Sequence, residues 1–254
     1  ISASNSDFDF VEYGPNAYPS LLYNAMVNPL VGLSMQGVIW YQGENNTNRA
    51  KEYYHLFPAM INDWRKKWGK DFPFYWVQLA NYMDAVEVPS ESLWAQVREA
   101  QTQTLSLSHT GQAVIIDIGE AKDIHPKNKK EVGRRLALHA LHNDYGFSDV
   151  VCESPMPKTV RRVQDKIVVQ FDNVADGLIV KNKYGYLMSF AVAGNDGVYK
   201  WVQAKVAGKD RVVLSCPDVI DPVSVRYAWG DNPDDANLYN SVGLPATPFE
   251  IKIE

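Results

Sequence analysis

Along the chain the spacing of apolar residues switches back and forth between a helical and a strand period, then settles on the strand period. The opening "ISASNSDFDF" is small and polar and reads as an irregular lead-in. In "AYPSLLYNAMVNPLVGL" the residues Leu21, Leu22, Ala25, Met26, Pro29 and Leu30 share a helical face, with Ser20 placed to cap it. "GVIWYQ" follows as a short buried strand. "TNRAKEYYHLFPAMINDWRKKWG" returns to helical spacing through Tyr53, Leu56, Phe57, Met60, Ile61 and Trp64. Gly69 ends that helix, and Pro58 inside it predicts a kink or a split into two helices. "FPFYWVQLA" is a second buried strand, "SLWAQVREAQTQTLSL" a helix opened by Ser90 or Ser92, and "GQAVIIDIG" a third buried strand. "PKNKKEVGRRLALHALHNDYG" is a long helix, with Pro126 at its mouth and Gly146 at its end.

Short apolar strands separated by helices predict an α/β fold, a parallel sheet held between helices on both faces. Chemistry in such sheets sits beyond the carboxyl ends of the strands. After Tyr145 the texture changes. "KIVVQF", "GLIVKN", "YKWVQAKV", "RVVLSC" and "SVRYAW" are short, β-branched and aromatic, and are separated by Gly, Asp, Asn and Pro. They predict an antiparallel β-sandwich of about 100 residues. The change falls between Phe147 and Pro157, which divides the chain into residues 1–150 and 151–254.

Composition narrows the field. The 254 residues are 46% hydrophobic and 22% charged, as in an ordinary globular protein. The net charge of −5 and the lack of a dense Lys/Arg stripe argue against nucleic acid as a partner, and "KNKK" is too short to change that. No apolar run approaches the ~18 residues that cross a membrane. Two cysteines, Cys152 and Cys216, do not make a disulfide scaffold in a chain of this size and are expected as buried free thiols.

Two loops carry concentrated chemistry. "GVIWYQGENN" runs from a strand straight into Gln42, Gly43, Glu44 and Asn45, with Trp40 at the strand's end. A Gln amide can donate to a developing oxyanion, and Gly43 lets backbone approach a substrate closely. Glu44 can orient a histidine ring or cap the next helix. "KDIHPK" places His125 after the third strand, with Asp123 two residues before it. A histidine held at the carboxyl edge of a parallel sheet beside a carboxylate is the arrangement of a general base. The alternative is a loop histidine that caps the following helix. His139 and His142 stand three residues apart on one helix, without Cys or further His to complete a metal site. Arg98 in "VREAQ" can clamp a carboxylate in two-pronged fashion, or pair with Glu91 or Glu99 on a helix surface. Among seven tryptophans, Trp40 and Trp94 are the candidates for facing a substrate, the others being expected in the core.

With these residues placed, the chain resembles the sialate O-acetylesterases, a carbohydrate-esterase branch of the SGNH hydrolases. Beyond the two loops, "LYNAMVNPL", "DWRKKWG", "PFYWVQLANY", "SLWAQVREAQ", "IDIGEAKDIHPKNKKEVGRRLALHAL", "VRYAWGDNP" and "LYNSVGLPATPF" are similar to that family in its order, so the resemblance covers nearly the whole chain. It implies that residues 1–150 are the later portion of an SGNH-type α/β domain and 151–254 a β-sandwich accessory domain. It implies hydrolysis of O-acetyl esters on sialic acid or related sugars, with no metal or cofactor, by a secreted or periplasmic protein. His125 matches the family's catalytic histidine, Asp123 the acid beside it, and Gln42, Gly43 and Glu44 the block lining the oxyanion site. Asp123, being local, and Glu44 both stand as the acid that orients His125.

One departure is large. The family's nucleophile lies in an early "GQSN"-like motif that does not occur here. "GQAV" at Gly111 carries Ala113 where the serine would fall, and Ser2, Ser4 and Ser6 have no strand before them. Together with the first residue being Ile1 rather than Met, this reads as a chain whose nucleophile and first strand lie upstream, or on another chain. Loss of that strand predicts an open sheet edge, and with it an upstream fragment or a second copy as partner. Two other readings stand beside this one. One is a non-catalytic carbohydrate-binding module. The other is a glycosidase using Glu44 with Asp117 or Asp123 as its two carboxylates.

Overall fold

The computed structural model describes residues 18–254; the polar lead-in, with Ser2, Ser4 and Ser6, lies outside them. Three parallel strands, β1 (Val38–Trp40), β2 (Phe74–Val77) and β3 (Thr110–Ala113), form a sheet in that order, with Ile39 opposite Tyr75 and Tyr75 opposite Gly111. Because side chains alternate across a sheet, Phe74 and Trp76 face one side and Tyr75 and Val77 the other. Helices α1 (Ala50–Trp68) and α2 (Leu93–Gln103) pack Phe57, Ile61 and Val97 onto the first side. Helix α3 (Lys129–Asn143) packs Val132 and Leu136 onto the second. The predicted layering is therefore present.

Several local expectations change. α1 runs unbroken through Pro58. Proline removes one helical hydrogen bond, but Tyr53 and Phe57 before it and Ile61 after it are buried in the same cluster, which holds both halves on one axis. The stretch around Met26 is a wide turn over Tyr23–Val27 followed by a 3-10 turn over Asn28–Leu30, and neither contains a buried residue. β1 is not a fully buried strand: Ile39 is 70% exposed, while every residue of β2 is buried. α3 covers β2 and β3 but leaves Ile39 bare, and among the described residues β1 pairs only with β2. Asn128, not Pro126 or His125, caps α3, accepting from the N–H of Glu131 at 3.2 Å.

Residues beyond α3 build two antiparallel sheets. One joins β4 (Met156–Val163), β5 (Lys166–Asp172), β10 (Arg211–Ser215) and β9 (Gln203–Ala207). The other joins β13 (Phe249–Lys252), β11 (Ser224–Tyr227), β7 (Phe190–Ala193) and β8 (Tyr199–Trp201), and a ribbon pairs β12 (Leu238–Asn240) with β6 (Leu178–Val180). Ile167, Val169, Val212 and Leu214 of the first sheet meet Phe190, Val192, Val225, Tyr227 and Phe249 of the second in one apolar core, as a sandwich requires. Val114 and Ile116, just past β3, belong to that core, while Ala113, the last residue of β3, and Ile115 belong to the core under α3. Cys152 and Cys216 are buried free thiols.

His139 on α3 is 2% exposed, stacks on Tyr75 and bonds through Nε2 to the carbonyl of Gln112 at 3.0 Å. Its other face meets Gly111, where an added Cβ would lie 2.5 Å from Nδ1, so the sheet admits only glycine there. Burial holds the imidazole below its ordinary pKa; the Gln112 carbonyl pulls the other way, and His142 adds to the lowering. In the unfolded chain a histidine takes up a proton near pH 6.5, whereas folded His139 resists it. The unfolded state therefore binds more protons below that point, so stability is fully present above it and is lost as pH falls through the lowered folded value. Urea midpoints measured from about pH 7.5 to 5.5 should fall, and His139→Gln should flatten the slope. Gly111→Ala should destabilise by about 1–3 kcal/mol at neutral pH.

Candidate active site

The carboxyl ends of β1 and β3 open onto the same edge of the sheet, because the strands are parallel. From β1 the chain enters Gln42 and Gly43 and then a 3-10 turn over Glu44–Arg49. Three contacts fix that loop. The Gln42 amide donates to Asn46 Oδ1 at 2.7 Å, Tyr53 Oη donates to Gln42 Oε1 at 3.0 Å, and Gln101 Nε2 donates to the Gln42 carbonyl at 3.2 Å. Gly43 has φ +151°, and a Cβ there would come within 3.1 Å of Leu79 and 3.2 Å of Gln101. Glycine is what allows this loop to lie against the end of β2. Glu44 is half-buried and Asn45 exposed. Burial, with the charge of Glu44 second, pushes the Tyr41 phenol up to about 12. Lys129, four residues after His125, lies 4.9 Å over the Tyr41 ring and so ties the start of α3 to this loop.

From β3 the chain runs through a tight turn to His125. Asp123 Oδ1 accepts from the backbone N–H of His125 at 2.9 Å and lies 3.6 Å from the ring Nδ1. That backbone N–H is the chief reason the carboxyl is held below its usual range, with the charges of Lys127 and His125 acting in the same direction. Lys127 in turn pairs with Glu120 at 2.7 Å. The His125 side chain is 86% exposed, and among the described residues its ring has neither a hydroxyl partner nor an ion pair with Glu44. Asp123, not Glu44, is the carboxylate the structure sets beside it. No group of three or more His, Cys, Asp or Glu among the described residues could hold a metal ion.

Four other residues take roles different from those expected. Arg98 is fully buried, with every donating nitrogen spent on carbonyls: Leu79 at 2.8 Å, Ala80 at 2.7 Å, Gly230 at 2.5 Å and Asp231 at 2.9 Å. It has no exposed face for a sugar carboxylate and makes no ion pair with Glu91 or Glu99. Burial lowers its pKa to about 9, with Asp231 opposing, so it stays charged at neutral pH. Trp94 is buried and donates to the Ala80 carbonyl. Trp40 is half-buried, with its ring edge-on to Trp64 at 5.9 Å and close to Phe74, as in a core. Asp117 is paired with Arg135 at 2.6 Å and accepts from Tyr239, so it does not stand free as a glycosidase carboxylate.

Residues that carry the site from below were not singled out in the sequence. Gln101 holds the Gln42 loop and also receives the N–H of Leu79 at 3.0 Å. Asn81 receives the N–H of Gly119, in the turn before His125, at 2.7 Å and donates to Asn232 at 2.8 Å. For Asn81 the signal was an amide ending the apolar run "FYWVQLAN", since a buried amide must find partners; Gln101, in the polar stretch "REAQTQT", carried no such signal.

The chain matches the family described as carbohydrate esterase, sialic acid-specific acetylesterase, over residues 9–142. Sialate O-acetylesterases of Pongo abelii and Homo sapiens are each 30% identical over 264 residues, covering 93% of this chain and 49% of theirs. That of Rattus norvegicus is 30% identical over 278 residues, 96% of this chain and 50% of its own. A carbohydrate acetylesterase from Xanthomonas citri superposes with a TM-score of 0.88 at 44% identity, over 95% of this chain and 56% of that one. The chain belongs to the sialic acid-specific acetylesterase family of carbohydrate esterases. It spans about half the length of the curated relatives it matches.

Arg98→Met should unfold at lower denaturant, by at least about 3 kcal/mol, because four buried carbonyls lose their donors. A denaturation midpoint left unchanged by Arg98→Met would instead restore the clamp.

Proposed function

We propose that this chain provides the acid–base half of an esterase that removes O-acetyl groups from sialic acid or related sugars. The observation that carries the reading is His125, open to solvent at the carboxyl edge of a parallel sheet, with the Asp123 carboxylate 3.6 Å from Nδ1. In this reading a serine hydroxyl attacks the acetyl carbonyl carbon while His125 takes its proton. Asp123 orients the ring and stabilises the imidazolium. The oxyanion is met by donors from the Gln42–Asn45 loop. The ester bond breaks, His125 returns the proton to the departing sugar oxygen, and water then cleaves the acetyl-enzyme by the same route. The lack of a "GQSN"-like motif in the sequence, together with the absence of a hydroxyl partner on His125 among the described residues, supports a nucleophilic serine contributed by other polypeptide. By itself the chain would then be inactive. Family membership supports a secreted or periplasmic location, and among the described residues no helix is long and apolar enough to cross a membrane.

In the protein carrying that segment, His125→Ala should lower the rate by at least ~10³-fold, as loss of a triad member does. A loss below about tenfold would remove His125 from the mechanism. A fluorophosphonate should add one adduct, on a serine outside residues 1–254, and none to the 254-residue chain alone. Labelling of one of this chain's own serines would overturn the division.

The edge of β1, unpaired among the described residues, and the exposed Ile39 support a second part of the proposal, that a strand of the upstream segment or of another copy covers them. Ile39→Lys should keep the fold yet abolish complementation by the upstream segment or self-association of the chain, read by light scattering. A mass and activity unchanged by the substitution would exclude that edge as the joint.

A further inference from the structure

A cavity of about 320 Å³ lies away from His125, between the loop that follows β2 and the sheet of β7, β8 and β11. None of Gln42–Asn46 or Asp123–His125 lines it. Its volume is at the small end of ligand pockets. Trp201, at the end of β8, is 42% exposed, and its Nε1 is pinned to the carbonyl of Glu87 at 2.9 Å. The cavity thus has a flat aromatic wall whose orientation is already set. Around it stand Met188, Ser189, Glu87, Asp234 and Asp235, with Ser189 donating to Asp235.

The backbone gives an independent sign. Ser189 and Ala228 both line the cavity and both have left-handed φ, 62° and 50°, without being glycine; they are joined by the Ala228 N–H donating to the Ser189 carbonyl at 3.0 Å. Residues held in this conformation gather at binding sites, where a surface must be shaped for a ligand.

Charge says what kind of ligand. Three carboxylates, Glu87, Asp234 and Asp235, line the cavity, and no Lys, Arg or His does. A carboxylated sugar would be repelled. A neutral sugar would not: its hydroxyls can donate to carboxylates in strong, charge-assisted hydrogen bonds, and its C–H face can lie on the electron-rich face of an indole. We propose that this cavity is a second carbohydrate subsite, which takes an uncharged, hydroxyl-bearing pyranose and rejects an anionic one. It rests on the glycan substrate proposed above but not on hydrolysis. The loop that walls it also bonds to the turn before His125, Met83 N–H donating to the Ala121 carbonyl at 3.0 Å.

The test is titration of the protein with methyl glycosides of glucose, galactose and N-acetylglucosamine, and with N-acetylneuraminic acid, followed by calorimetry and indole fluorescence. At least one neutral glycoside should saturate with a Kd in the range of about 1 mM, as for a single small site. Trp201→Ala and Asp235→Asn should each weaken it about tenfold, Trp201→Phe should retain most of it, and His125→Ala should leave it unchanged. Binding of N-acetylneuraminic acid that is tighter than that of every neutral glycoside and is lost in Trp201→Ala would overturn the proposal. So would binding that survives Trp201→Ala, or no saturation by any neutral sugar. Loss of esterase activity in the same variants bears only on the first site, so the two readings fail separately.

Discussion

The rest of the molecule is organised around one buried guanidinium. Arg98 leaves α2 and grips the carbonyls of Leu79 and Ala80, where β2 ends, together with those of Gly230 and Asp231, past the end of β11. A charge without solvent is tolerable only when its donors are met, and here four carbonyls meet them. The grip fixes the parallel sheet against the antiparallel part at the level where the sheet's chemistry is displayed. Asn81, one residue past Ala80, then reaches the turn before His125, and Gln101, three residues past Arg98, holds the Gln42 loop. The geometry of both loops is inherited from this joint.

The candidate site itself is loosely held by comparison. His125 is almost fully open, and Asp123 gives its shortest bond to the backbone N–H rather than to the ring. The backbone contact keeps the carboxylate ionised and near the ring, while the imidazole itself stays open to solvent.

Much of this was legible in the sequence because it follows from period and turn chemistry. The buried strand Phe74–Val77, the cap at Ser92, the stop at Gly69 and the switch to strand texture before β5 all have local causes. His125 and Asp123 were legible as a pair for the same reason, being two residues apart on one turn. What was not legible depends on contacts made across the fold. An arginine in a helical pattern reads as surface, and nothing local to Arg98 announces carbonyls more than 130 residues away. Pro58 reads as a break because the apolar cluster that holds α1 together is tertiary. Ile39 reads as buried because a strand of apolar residues says nothing about whether a helix happens to lie over it.

The four residues Ala113–Ile116 alternate between two cores, odd positions under α3 and even positions inside the sandwich. A single tetrapeptide is therefore a shared beam. A cut at the change of texture near residue 150 would therefore take Val114 and Ile116 out of the sandwich's apolar core and expose the side chains they cover.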